Sequence, residues 1–295
     1  MFAAEDGFKI SFALLDFEQP TAVQHFGACI FYDTIRERWE TITDKNLIAK
    51  VKETLMEKLA LGAPFLNQSV TNKLTSSLAM FALCSMPDIW PEPIHDLATT
   101  WSDQPELLLR VLAELAAEFV RVQIPLTQRS VVKSCLHRKA EDVIRIINLI
   151  LCDKDATPSL RNAAVECLEQ WLRLPGIDLA QWQPALLPFL GNPSDRAALA
   201  RILNVVSAHP DLPFIENLAV DLNTFLASIT CSVIMEQLRM LSKQHSEISE
   251  ESRAGYIAEL EEYGLLVAAL AEFVEVTISP LLMGCVEKRS TEVLR

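Results

Sequence analysis

Apolar residues recur at the helical spacing of i, i+3, i+4 and i+7 along almost the whole chain, and prolines interrupt them at intervals. This pattern constrains the fold more than any other feature. A chain with little strand-like alternation cannot build a sheet, so its apolar stripes must be buried helix against helix. Glycine usage agrees: there are 8 glycines against 15 prolines in 295 residues. Sheet-rich folds and phosphate-binding loops consume glycine in turns, whereas helices can be ended by proline and polar residues.

The pattern predicts a succession of helices. Gly7 to Phe17 forms a short first one, and Pro20 opens a second with Val23, Phe26, Gly27, Ile30, Phe31 and Ile35 on a broad inner face, ending near Trp39. Thr43 or Asp44 caps a third, striped by Leu47, Ile48, Val51, Leu55 and Leu59 and stopped by Gly62 and Pro64. Asn67–Met86 is followed by a short partner over Pro91–Ser102, with Ile94, Leu97, Ala98 and Trp101 inward. Further helices are expected over Pro105–Val122, Arg129–Cys152, Thr157–Leu174, Trp182–Leu190, Asn192–Ala208 and Pro213–Cys231, and the remainder from Ser232 is helical in pattern.

These segments pair as antiparallel helices joined by short linkers. First helices of pairs start near residues 20, 67, 105, 157 and 193. That averages about 43 residues, within the roughly 40–47 of HEAT and armadillo units. Trp39, Trp90 and Trp171 each close the first helix of a pair. The expected fold is therefore all-α, an α-solenoid of HEAT-like helix pairs. Its organisation is one solenoid over 1–295 of about six repeats, with a partial first repeat over 1–19 and less regular repeats over 232–295.

The stretch SLAMFALCSMPDIWPEP, Ser77 to Pro93, fits this scheme. A helix apolar nearly all round is stable only when covered on several sides. In a stacked repeat, the first helix of each pair is covered by its partner and by both neighbouring repeats. Ala79, Ala82 and Ser85 permit close approach, Leu78, Phe81 and Leu83 fill space, and Pro87 turns the chain back.

The formal net charge is −13, half the residues are hydrophobic and 22% are charged. The chain is therefore ordered, and nucleic acid is a poor partner because phosphate binding needs clustered Lys and Arg. An acidic chain suits basic protein partners, although the charge is equally accounted for by solubility. Seven scattered cysteines without a CxxC read as reduced core thiols of the cytosol or nucleus. The acidic N-terminus does not resemble a signal peptide. Leu265–Met283, the most apolar long window, carries Glu272, Glu275 and Pro280 and reads as a buried helix and turn, not a membrane insertion.

No nucleotide-binding, metalloprotease or nucleophile-elbow motif occurs, so no enzyme, metal or cofactor is expected. Cys135 and His137 lie two apart on a helix and face different directions. His25 reads as a packing or surface residue, and the adjacent acids Glu250–Glu251 and Glu261–Glu262 as a solvated face.

Four stretches together resemble the importin-β (karyopherin) superfamily, in particular its importin 13 / transportin-SR branch. They are VQHFGACIFYDTIRERW (23–39), LTSSLAMFALCSMPDIWP (74–91), LLLRVLAELAAEF (107–119) and LRNAAVECLEQWLRL (160–174). In that branch a V-Q-x-F-G-A-like helix ends at a Trp, and a later apolar helix is closed by M-P-D-x-W-P, here Met86, Pro87, Asp88, Trp90 and Pro91. The resemblance covers the N-terminal portion of proteins several times longer.

It implies a right-handed superhelix whose second helices line a concave face. There the family binds the GTPase Ran in its GTP form and protein cargo, here expected to be basic. Nucleoporins are further implied partners, and the implied location is cytoplasm and nucleus. Such receptors catalyse nothing. Polar residues on the second helices, opposite the apolar stripes, are the expected contacts: Lys52, Glu53 and Glu57, then His95, Asp96, Thr99 and Asp103, then Glu141, Asp142 and Arg145. The Glu-rich stretch Ser246–Tyr263 reads either as a loop for a basic partner or as an ordinary acidic helix pair. The competing reading is a HEAT-repeat scaffold of another assembly, such as a vesicle-coat or phosphatase adaptor, with no Ran dependence.

Overall fold

A computed structural model describes residues 4–62, 66–122, 126–182, 184–186, 196–209, 261 and 264–276. Every regular element among them is helical. They are α1 (Ala4–Leu14), α2 (Thr21–Arg38) with a 3₁₀ turn over Trp39–Thr41, α3 (Lys45–Gly62), α4 (Gln68–Ser85), α5 (Pro93–Thr100), α6 (Pro105–Arg121), α7 (Leu126–Cys152) and α8 (Pro158–Leu172). A second 3₁₀ turn, Leu179–Trp182, and α9 (Arg196–Ser207) follow, and residues 264–276 are helical. The chain divides into two compact units, one of residues 1–150 and 155–175, the other of 151–154 and 176–295.

Local chemistry sets the helix ends. The Asn67 side chain accepts the Ser69 amide at 3.0 Å to start α4, and Thr157 Oγ1 accepts the Leu160 amide to start α8. Asp44 accepts the Asn46 amide at the start of α3. Pro93, Pro105 and Pro158 occupy the first turns of α5, α6 and α8, where a missing N–H costs nothing. The predicted short helix at Trp182–Leu190 begins instead as the 3₁₀ turn at Leu179. The expected helix at Pro213–Cys231 lies outside the described residues, as does the Glu-rich stretch apart from residue 261.

In the first unit α2, α4, α6 and α8 pack in succession, with α1 against α2, α3 against α4 and α5 against α6. Ser159 at the start of α8 donates to Glu106 at the start of α6. The two helices therefore enter from the same end, and α7 between them returns the chain. Alternate helices forming one row, joined by returning helices, is the packing of HEAT-like pairs.

The repeat explains the all-round apolar α4. It touches α2, α3 and α6, and Leu78, Ala79, Phe81, Ala82, Leu83 and Ser85 are all buried. The ring of Phe81 meets Trp39 edge-on at 5.3 Å and Trp90 at 5.9 Å, so two of the three closing tryptophans share one core residue. The third, Trp171, is fully buried and donates its indole N–H to the Leu112 carbonyl at 2.9 Å.

Three expectations about burial need correction. Phe26 is 61% exposed rather than part of the inner face of α2. That helix buries Gln24, Gly27, Ala28, Phe31, Tyr32 and Ile35 instead, because its contact with α1 runs from Gly27 against Leu14, through Phe31 against Phe8, to Thr34 against Gly7. Ala98 and Leu47 lie at the half-buried edges of their stripes. In the second unit, the helix over 264–276 buries only the stripe Leu266, Ala269, Leu270 and Phe273, while Leu265 and Val267 are exposed. No helix among the described residues is long and apolar enough to cross a membrane.

Candidate functional site

The returning helices α3, α5 and α7 carry all but one of the residues expected to meet partners. Asp103 lies in the turn between α5 and α6. The apolar stripe of α3 (Ile48, Val51, Leu55 and Leu59) faces inward, and this turns Glu53 and Glu57 out to solvent while Lys52 is half-buried. On α5 the buried residues Ile94 and Leu97 turn His95 and Thr99 outward and leave Asp96 half-buried. On α7, burial of Val143, Ile144 and Ile147 exposes Glu141 and Arg145, with Asp142 half-buried.

Four of the ten candidates form ion pairs within the fold. Lys52 Nζ of α3 lies 3.6 Å from Asp96 Oδ2 of α5, and the same carboxylate accepts the Trp90 indole N–H at 2.7 Å. Lys139 of α7 pairs with Glu92, the residue preceding α5, and lies 3.7 Å from Asp142. Asp142 also pairs with Arg145. Charged contacts therefore run from α3 to α5 and from α5 to α7, placing the three helices side by side in one row. Thr99 donates its hydroxyl to the His95 carbonyl at 2.9 Å. Glu53, Glu57, Asp103 and Glu141 have no ion-pair partner among the described residues. Lys52, Lys139 and Arg145 are held by carboxylates, whereas α3 also carries Lys45, Lys50 and Lys58 and α7 also carries Lys133 and Arg138, so the row presents charge of both signs.

Sequence reasoning missed a polar network on the other row. The Tyr32 hydroxyl of α2 donates to Glu118 Oε2 of α6 at 3.0 Å, and Arg121 Nη2 lies 3.3 Å from Glu118 and 2.6 Å from Glu114. Ser76 of α4 donates to Glu114 at 2.6 Å. Burial pushes the Tyr32 phenol up to about 12, helped by the neighbouring Glu118 carboxylate. Burial also raises Glu118, against the opposing pull of Arg121 and the Tyr32 hydrogen bond. The signal in the sequence was Glu118 flanked on both sides by apolar residues within LAAEFV.

Two open grooves flank this network. One, of about 760 Å³, runs over Ala113 and Ala117 between α4 and α8. The other, of about 840 Å³, lies at the ends of α2, α4 and α6 around Trp39, Met80, Cys84 and Glu118. Burial pushes the Cys84 thiol up to about 12, which leaves it protonated and unreactive at neutral pH.

The class so defined is an all-α protein of HEAT-like helix pairs, with an ordered charged row on its returning helices. Comparison with known proteins shows what the chain is similar to. Residues 67–190 match the family model of the Exportin 1-like protein. The chain is 26% identical to Importin-13 of Bos taurus over 183 residues, which is 58% of this chain and 19% of that protein. It is 26% identical to Importin-13 of Mus musculus and of Homo sapiens, in each case over 175 residues, 56% of this chain and 18% of theirs. These findings show a likeness to proteins of the importin-β family, and the matched stretch spans under a fifth of the length of these relatives.

Proposed function

We propose that the protein acts by binding, as part of a karyopherin-type transport receptor that moves between cytoplasm and nucleus. The row of α3, α5 and α7 takes the GTPase Ran in its GTP form and protein cargo of basic character. Cargo and Ran·GTP then compete, which amounts to a coupling free energy between two ligands on one body. The observation that carries this reading is the joining of the three returning helices by Lys52–Asp96 and Glu92–Lys139, within a chain similar to Importin-13. It brings charged residues spread over some ninety positions of sequence to one surface, on which Glu53, Glu57, Asp103 and Glu141 are acids without an ion-pair partner among the described residues. Opposite fields steer encounter and select partners more than they add affinity.

The experiment is a titration of the chain with Ran loaded with a non-hydrolysable GTP analogue, with Ran·GDP as control. GTP-selective binding, weakened when Glu53, Glu57 and Asp103 are replaced together by Lys, supports the reading. These exposed acids are the right targets because reversing Asp96 would also break its contact with Trp90. A folded chain that binds neither form, or both equally, favours a HEAT-repeat scaffold without Ran dependence.

A further inference from the structure

Three groups meet at Trp90. Its indole N–H donates to Asp96 Oδ2 at 2.7 Å, the Lys52 ammonium lies 3.9 Å from the centre of its ring, and the same ammonium is 3.6 Å from Asp96 Oδ2. An aromatic face beside a carboxylate is the chemistry that recognises an ammonium or guanidinium group. The niche is preorganised. The indole N–H fixes the carboxylate, and Trp90 is 2% exposed and packed near Phe81, so neither group is free to turn away.

The cation already in the niche is the chain's own. Lys52 is held by a long ion pair between side chains 32% and 44% exposed, a weak and exchangeable contact. The neighbouring α3 acids Glu53 and Glu57 are exposed and without ion-pair partners among the described residues. Lys45, Lys50 and Lys58 share that helix, so the cation is selected by the niche itself and not by the net charge of α3.

We infer that the Trp90–Asp96 pair is a receptor for a Lys or Arg side chain of a basic partner segment, and that Lys52 is its built-in competitor. The incoming cation displaces Lys52, takes its place over the ring and pairs with Asp96. Lys52 swings out to solvent. The niche admits only a cation strong enough in context to win this exchange, so Lys52 sets a threshold that filters weakly basic segments. The inference rests on the reading of this row as the partner face and assigns the chemistry of one position on it.

The test uses the full chain and a fluorescein-labelled pentalysine peptide. Lys52→Ala empties the niche, while Lys45→Ala removes the same charge from the exposed start of α3 and controls for net charge. Binding to Lys52→Ala should be tighter than to Lys45→Ala by about three- to tenfold, the range expected for a modest cation–π contact beside a carboxylate. Adding Asp96→Asn to Lys52→Ala should abolish the gain. The Trp90 indole N–H signal, assigned with Trp90→Phe, should shift on peptide addition to Lys52→Ala.

Equal affinity of Lys52→Ala and Lys45→Ala, or an unmoved Trp90 signal at saturation, would overturn the inference. The indole signal decides the matter even if the double variant fails to fold. The Ran titration stands apart: Ran·GTP binding without a Lys52→Ala gain removes the niche alone. A gain without any Ran·GTP binding removes the receptor reading and leaves the niche.

Discussion

Tyr32 and Glu118 lie 86 residues apart in sequence and 3.0 Å apart in space, the phenol donating to the carboxylate. The bond joins the ends of α2 and α6 beside α4, which packs on both. Through Glu114 and Ser76 the same network also ties α4 to α6. Successive first helices are thus held by a polar chain as well as by apolar packing. A buried carboxylate in such a place is costly if it loses a partner.

Removing the donor should therefore matter more than the size of the change suggests. Tyr32→Phe deletes one oxygen and leaves Glu118 with Arg121 alone. The expected loss is about 1–3 kcal/mol of unfolding free energy, measured by urea denaturation at pH 7. A loss under about 0.3 kcal/mol would mean that water or a shifted Arg121 replaces the phenol.

Stability against pH offers a second reading of the same carboxylate. Burial raises Glu118 above its ordinary 4.5. Its neutral form is thus favoured in the folded chain, and the folded state binds more protons wherever the two values differ. The stabilisation is fully present below the unfolded value and is lost as pH rises through the raised folded value. Glu118→Gln lacks this titration. The difference in stability between the parent chain and Glu118→Gln should fall as pH rises from about 4.5 toward neutrality and then level off. A difference that stays flat, or rises, over that window would refute the raised value.

The contact of α1 with α2 depends on the absence of side chains. A Cβ on Gly27 would stand 2.7 Å from Leu14 Cβ and 3.3 Å from the Leu14 backbone carbon. One on Gly7 would stand 2.5 Å from Thr34 Oγ1, a group on a rotatable side chain. Alanine gains about 1 kcal/mol of helix propensity over glycine, whereas forcing a packed backbone apart costs about 1–3 kcal/mol. Gly27→Ala should therefore lower the midpoint of thermal unfolding, and by more than Gly7→Ala, where Thr34 can turn aside. Equal midpoints for the two variants would show that the α1–α2 contact yields as a body.

Trp171 presents the clearest test of packing between neighbouring repeats. It is fully buried and reaches from α8 to the Leu112 carbonyl in the middle of α6. Trp171→Phe removes that hydrogen bond and part of the volume, at an expected cost of about 1–3 kcal/mol. Hydrogen exchange should show the added opening in α6 and α8 together. Loss of protection in α8 alone would mean the tryptophan serves only its own helix.

Most helix boundaries of the first unit were legible because their signals are local. Asn67, Thr157, Pro105 and Pro158 act within a turn of where they stand. Solvent-facing positions of α3, α5 and α7 were legible for the same reason, since helical period fixes which residues oppose a stripe. What those positions do was not legible. Lys52 and Asp96 are 44 residues apart, and nothing in their spacing announces that both belong to Trp90. The Tyr32–Glu118 bond was hidden likewise, because it depends on how α2 and α6 flank α4.

The two phenylalanines of α2 turn that limit into a prediction. Period alone placed Phe26 and Phe31 on one inner face. In the structure Phe31 is fully buried against Phe8, with ring centroids 5.2 Å apart, whereas Phe26 is 61% exposed. Close approach of Leu14 to Gly27 decides this, because it fixes which side of α2 meets α1. Phe31→Ala should cost about 3–5 kcal/mol, as for other buried aromatic residues cut to alanine. Phe26→Ser should stay within about 0.5 kcal/mol, as surface changes usually do. Comparable losses at both positions would place Phe26 inside a contact and return α2 to the rotation that its sequence stripe implied.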